Sequence, residues 1–169
     1  SKDDSNTPDP QAATCDDGIQ NGDETGVDCG GSACDPCAVD NILEGDVTTD
    51  VTLDAAIGYE LAGAYVVRSG ASLTIPAGTV ISATGGTSAY IAVERGAQIF
   101  INGNASAPVV MTSGASSPAP GDWGGLVVCG DAPTNKGSNV TSEVADLTYG
   151  GSNANDNSGS IRYLRVEYT

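Results

Sequence analysis

Residues 67–75, VRSGASLTI, and residues 93–101, VERGAQIFI, decide the fold. The two segments share a valine, a Gly-Ala pair and a final isoleucine at matching places. Toward the end of each segment, aliphatic residues alternate with other residues in a period of two, which predicts strands and not helices. We expect four of these side chains to point into one continuous core: Leu73, Ile75, Ile99 and Ile101.

This repeat predicts an all-β chain built as a right-handed parallel β-helix, or solenoid. Coils of about 20–30 residues with short strands and glycine turns cannot bury their own apolar face, and stacking them about 4.8 Å apart does so. A looser echo at 127–132 and a strand-like run at 161–168 extend the pattern. The longer spacings predict loops at 102–121 and 130–159. The alternative is an antiparallel β-sandwich with a chance repeat.

The amino-acid composition excludes several classes of function. Twenty-two acidic and six basic residues give a net charge of −16, which repels nucleic acid and anionic lipid surfaces. The absence of histidine excludes Ser-His-Asp and Cys-His catalysis and histidine-ligated metals. No stretch is apolar for long enough to span a bilayer.

The chain divides into three predicted parts. Residues 1–14 are polar and contain no apolar cluster, so we expect a flexible tether. Residues 15–37 form a cysteine-rich acidic module, and residues 38–169 carry the β-helix pattern.

Four phrases in order carry a family resemblance: LTIPAGTVI at 73–81, APVVMTS at 107–113, GDWGGLVV at 121–128 and NSGSIRYLRVEY at 157–168. Over residues 60–169 the chain resembles secreted and surface lipoproteins of Bacteroidota that form right-handed parallel β-helices. Members of that family usually continue through several more coils, which implies a longer protein beyond Thr169. The family supplies no agreed catalytic residues.

The first residues, SKDDS, resemble the acidic stretch after the lipidated cysteine of these lipoproteins. The resemblance implies a cysteine before Ser1, a removed signal peptide and an anchor at the extracellular face of the outer membrane. The alternatives are a secreted protein and an ordinary acidic linker.

The acidic module is too poor in apolar residues to fold without cross-links. Its four cysteines allow three disulfide pairings, among which the sequence does not choose. Our working prediction pairs Cys15 with Cys34 and Cys29 with Cys37. Four thiolates binding zinc are the alternative, which the long Cys15–Cys29 gap and the exported character disfavour.

The carboxylates of this module predict a calcium site. Like charges held close repel unless a cation or water intervenes, and calcium prefers six to eight oxygen ligands. The module is also similar to Lin-12/Notch repeats, although it lacks their third disulfide. A solvated acidic loop without an ion is the alternative. The candidate ligands are Asp17, Asn21, Asp23, Glu24 and Asp28.

We expect a non-catalytic surface lipoprotein that binds a surface glycan or joins an outer-membrane protein complex as a scaffold. A carbohydrate-active lyase or hydrolase, or a purely adhesive repeat, is the alternative. An enzyme would need clustered acids or a basic residue on one sheet face. The carboxylates available for it, Asp122, Asp131 and Glu167, are expected to be scattered over separate coils.

Three further expectations concern the tryptophan, the fifth cysteine and four of the arginines in the β-helix part. Trp123, flanked by glycines, is a candidate ligand surface, with capping of a coil as the alternative reading. Cys129 lies in an apolar run and is expected to be a buried small hydrophobe. Four arginines are expected to pair with carboxylates: Arg68, Arg95, Arg162 and Arg165.

Overall fold

The computed structural model describes residues 13–35, 37 and 40–169. The tether prediction for residues 1–12 lies outside the described residues. The chain divides into two compact units between Asp40 and Asn41. No helix of the described residues is long and apolar enough to cross a membrane.

The second unit contains thirteen strands and one short 3-10 helix, Gly86–Ser88. The strands are β1 (Ile42–Val47), β2 (Val51–Thr52), β3 (Gly58–Val67), β4 (Ser72–Pro76), β5 (Val80–Ala83), β6 (Tyr90–Val93), β7 (Gln98–Asn102), β8 (Val109–Ser113), β9 (Leu126–Val128), β10 (Val140–Thr141), β11 (Thr148–Tyr149), β12 (Gly159–Arg162) and β13 (Leu164–Val166).

These strands stack into a parallel β-helix with three faces. Face a contains the first half of β3 with β5, β8 and β13, and face b contains the second half of β3 with β6 and β9. Face c contains β2, β4, β7 and β12. The β1 strand lies beside both halves of β3. Every pairing in these two larger sheets is parallel, which confirms the β-helix and excludes the sandwich.

The strand register matches the sequence repeat residue for residue. Val67 lies beside Val93 on face b, and Leu73 lies beside Ile99 on face c. Because these partners come from one coil to the next, the repeat period equals one turn of the helix around its axis.

The core fills the inside of the coils. The four side chains predicted to point inward are buried, at 0 or 1% exposure. Inward residues of faces a and b join them, including Ile81, Ile91 and Met111. At roughly 25 cal/mol per Å² of apolar area removed from water, this continuous stack is the main stabilising term.

The corner between faces a and b has a different length in every coil. In the first coil a single residue, Glu44, interrupts the register of β1 with β3. The corner then comprises residues 62–63, 84–89 and 114–125 in successive coils. The corner therefore lengthens from coil to coil while the strands on either side keep their register.

The loop predictions need one correction. Residues 109–113, placed in the first predicted loop, form strand β8, because Val109 and Met111 alternate inward and complete the stack of face a. The true loop begins after Ser113. The second predicted loop is present between β9 and β12, and it carries the antiparallel pair of β10 and β11.

Candidate functional site

Two disulfides organise the first unit. Cys15 is bonded to Cys34, and Cys29 is bonded to Cys37. This is the pairing of our working prediction, and it removes the zinc alternative because all four sulfurs are consumed. Thr14, which we assigned to the tether, is held against the module by its backbone N–H, 2.9 Å from Asn21 Oδ1.

Three of the candidate calcium ligands lie together at one end of the module. The Asn21 amide donates to Asp17 Oδ2 at 2.9 Å. The Asp28 carboxylate accepts from the backbone N–H groups of Asp17 and Gly18 at 2.8–3.0 Å. A hydrogen bond from the Thr14 hydroxyl is the largest cause that lowers the pKa of Asp17.

The other two candidates point elsewhere. Asp23 accepts from Ser32, whose hydroxyl and backbone N–H lower the pKa of this carboxyl. Glu24 is buried, and its Oε2 accepts from the Asn21 backbone N–H at 3.0 Å. Its Oε1 lies 3.2 Å from Cys34 Sγ, a disulfide sulfur that carries no proton.

The module therefore satisfies its carboxylates largely with its own N–H and hydroxyl groups. Among the described residues the one group of three side-chain ligand atoms is Cys15, Glu24 and Cys34, and two of its members are bonded to each other. The calcium site stays a prediction, centred on Asp17, Asn21 and Asp28.

Trp123, considered from the sequence as a possible ligand surface, is not available as one. Its side chain is buried at 2% exposure within the core. The indole N–H donates to the Glu167 carbonyl at 2.7 Å, which fixes the 114–125 corner against the chain beyond β13. Trp123 thus closes a coil, as the alternative reading held.

Two of the three carboxylates available to an enzyme come from neighbouring stretches of backbone. The Asp122 backbone N–H donates to the carbonyl of Tyr168, the residue after Glu167, at 3.0 Å. Asp131 lies 3.6 Å from Arg95, by the corner after face b. Asp122 follows β8 and Glu167 follows β13, so these two residues belong to successive coils, and the long corner brings their backbones together.

Asp122 and Glu167 have structural partners. Asp122 Oδ2 accepts from the Ser113 hydroxyl at 2.6 Å, which lowers the pKa of Asp122. Glu167 forms an ion pair with Arg165 and accepts from the Thr112 hydroxyl at 3.0 Å, and these contacts lower its pKa. A general acid at neutral pH needs a raised pKa, so both side chains are electrostatically unsuited to that role.

Face c carries the polar outer surface best suited to ligand binding. The register sets three outward rows, each running along the helix axis: Asp50, Ser72, Gln98 and Ser158; Thr52, Thr74, Phe100 and Ser160; and Pro76, Asn102 and Arg162. Hydroxyl, amide and carboxylate groups thus repeat at the spacing of the coils, about 4.8 Å. We call these three rows the face c platform.

Phe100 is the central apolar group of the platform. It is the only phenylalanine of the chain, and it lies partly exposed between the buried Ile99 and Ile101. An aromatic ring on a polar sheet presents a flat apolar surface with polar groups around it, a combination found in ligand sites. The period of two in residues 98–102 already places Phe100 outward, and our sequence analysis missed it.

A polar groove of about 290 Å³ borders the platform. Asp50 Oδ1 accepts from the Ser72 N–H at 2.9 Å and from its hydroxyl at 2.8 Å. On the opposite side, the Gln98 amide donates to the Asn157 carbonyl at 3.0 Å. The floor consists of small residues: Gly70, Ala71 and Gly96.

The fold and surface define a parallel β-helix protein with a polar sheet face. A family model described as a pectate-lyase like beta helix domain matches residues 45–169, and the chain belongs to this family. No curated protein and no solved structure matches the chain.

Proposed function

We propose that this protein is a non-catalytic scaffold of the cell surface that binds a glycan on the face c platform. The observation that carries the proposal is the placement of Phe100 among rows of hydroxyl and amide groups that repeat from coil to coil. A sugar ring offers an apolar face to an aromatic side chain and hydroxyls to such polar groups. Membership of a pectate-lyase like family supports a carbohydrate as the ligand class.

Charge selects among glycans. Pectate is a polyanion, and a chain with a net charge of −16 repels it at low ionic strength. The platform itself has both an acidic side chain, Asp50, and a basic one, Arg162. We therefore expect neutral polysaccharides to bind better than polyuronates.

The proposed anchor is a lipid on a cysteine before Ser1, which would hold the scaffold at the outer face of the outer membrane. The support is the SKDDS start and the polar composition of residues 1–14. Intact-mass measurement on native material tests it: an acylated cysteine supports the anchor, and a plain N-terminus rejects it.

A panel of neutral and acidic polysaccharides immobilised in native gels tests glycan binding. We expect retardation of the parent by a neutral glycan, and weakening by about two- to tenfold in Phe100→Ala, the range for loss of one aromatic contact. Val80→Ala is the matched control, since Val80 is an exposed apolar residue on an outer row of face a. Equal binding by both variants would reject the platform as the site.

The second candidate function is a polysaccharide lyase or hydrolase. The observations that favour it are the family match and the backbone hydrogen bond that brings Asp122 next to the segment containing Glu167. Release of unsaturated products or reducing ends from the same panel would identify an enzyme. If cleavage occurs and is abolished in an Asp122→Asn, Glu167→Gln double variant, the non-catalytic proposal is wrong.

A further inference from the structure

A second apolar cluster lies outside the β-helix, against the outer side of face b. Val66 and Ala92 are neighbours in the register and alternate with the core residues Val67 and Val93, so they point outward. They are nevertheless buried, at 6% and 0% exposure. Residues 130–158, which we call the flap, cover them with Leu147, while Ala145 and Tyr149 pack at the edge of the cluster.

Most backbone hydrogen bonds of the flap join one flap residue to another. Its backbone hydrogen bonds join Gly150 to Gly130, Gly151 to Ala132 and Ser142 to Leu147. Among the described residues, the backbone bonds to the coils lie at its two ends, from Cys129 to Val93 and from Ile99 to Ser158. A segment held this way can separate from the coils without breaking any sheet pairing.

Two side chains of the coils also bond to the flap: Gln98 contacts Asn157 near its end, and Arg95 contacts it between the ends. Arg95 Nη1 donates to the Gly150 carbonyl at 2.7 Å and to Asn139 Oδ1 at 3.0 Å, and it lies 3.6 Å from Asp131 Oδ1. A single guanidinium on the β6–β7 corner thus contacts both the outgoing and the returning limb of the flap.

A groove lies between the flap and the end of β9. A groove of about 370 Å³ runs beside Cys129, between β9 and Ser142, Glu143 and Tyr149 of the flap. The Cys129 thiol itself is buried, and burial raises its pKa. The flap therefore covers this thiol, and an open groove lies directly beside it.

We propose that residues 130–158 form a lid that opens from face b as a unit while the β-helix stays folded, with Arg95 as its latch. Opening exposes the apolar strip of Val66 and Ala92 and the thiol of Cys129. The returning limb also moves Asn157, which borders the groove beside the face c platform. The lid does not depend on the proposed glycan function.

Thiol labelling measures the opening directly. Four of the five cysteines are in disulfides, so Cys129 is the single thiol that a maleimide reagent can modify under non-reducing conditions. We expect slow labelling of the parent chain and labelling at least about tenfold faster in Arg95→Ala, which corresponds to about 1.4 kcal/mol. Leu147→Ala removes a flap-side apolar contact and should act in the same direction.

Arg68→Ala is the matched control. Arg68 also pairs with a carboxylate, Asp46 at 2.8 Å, and its side chain has similar exposure, 36% against 32% for Arg95. In this control variant, the maleimide should modify Cys129 at the same rate as in the parent chain. Circular dichroism melting, followed on the same samples, must show the β-helix still folded in each variant at the labelling temperature.

Two results would overturn the lid. The first is labelling of both Arg95→Ala and Leu147→Ala at the parent rate, with all variants folded. The second is labelling that increases only in proportion to global unfolding, as judged from its dependence on denaturant. A steep dependence on denaturant means that the flap does not open as a separate unit.

Discussion

Truncation of Ile99 to alanine tests the stacked core most directly. Ile99 is 1% exposed, lies beside Leu73 on the strand before it, and faces the interior of face c. Isoleucine-to-alanine changes at buried sites cost about 2–5 kcal/mol, from lost apolar burial and from the cavity left behind. Neighbouring coils are fixed by sheet pairing on both sides, so we expect little collapse and a cost of about 3–4 kcal/mol.

For a chain of this size, about 1 kcal/mol shifts the melting temperature by roughly 2–4 °C. Thermal melting should therefore show Ile99→Ala lower by roughly 6–16 °C. Ile99→Val should lose only about 0.5–1.5 kcal/mol, and Ile99→Asp, which buries a charge, should lose more than Ile99→Ala. Thr74→Ala, an outward change on the paired strand, is the control. A melting temperature for Ile99→Ala within 2 °C of that control would refute the stacking register, since about 0.5–1 kcal/mol is all that such a shift represents.

Three further predictions concern other parts of the molecule. If calcium binds the module, calorimetric titration with calcium should show heat with the parent chain and none with an Asp17→Ala, Asp28→Ala double variant. If the parent chain shows no heat, the module is a solvated acidic loop that binds no calcium. The pKa values of Asp122 and Glu167 in the folded state lie below their ordinary values of 3.8 and 4.5. The two carboxylates therefore stabilise the fold fully at pH values above 3.8 and 4.5, and this contribution is lost as the pH falls below them. Melting across this acid range should be less pH-dependent in Asp122→Asn than in the parent, and Asp16→Asn, at an exposed site, should follow the parent. Gly159→Ala should destabilise the last coil by more than about 1 kcal/mol, because the φ angle of Gly159 is +113° and a Cβ there would lie 1.9 Å from the Ile99 carbonyl oxygen. Gly58→Ala is the control, since a Cβ at Gly58 would meet no atom within 4 Å. Equal melting temperatures for the two variants would contradict this prediction.

The sequence was enough to predict the fold where local pattern and long-range contact coincide. In a solenoid the partner of Leu73 is the matching residue of the next repeat, Ile99, so alternation and repeat length together fix the register. The disulfide-linked module could be recognised because so short a segment contains four cysteines. Its pairing required the structure, since three connectivities satisfy the same spacing.

The sequence was not enough where long corners fold back on the coils. Nothing local to Asp122 indicates that its N–H bonds to the Tyr168 carbonyl, and nothing local to Trp123 indicates burial against Glu167. The flap was predicted as a loop, but its packing against face b was not, because those contacts depend on how an irregular segment returns. Phe100 is different, because the alternation of residues 98–102 is enough to place its side chain on the outer surface.

The corner between faces a and b has a consequence for how such chains diversify. It lengthens from Glu44 alone to residues 114–125 over four coils, while strands on both sides stay paired. The number of exposed residues at this corner can therefore change while the neighbouring turns stay in place, provided that buried members such as Trp123 are kept. A single deletion inside β7, in contrast, would turn Ile99 and Phe100 inside out. For protein engineering, the exposed residues 86–88 of this corner are the natural position to graft a foreign peptide, since the paired strands on either side would hold its two ends at a fixed separation.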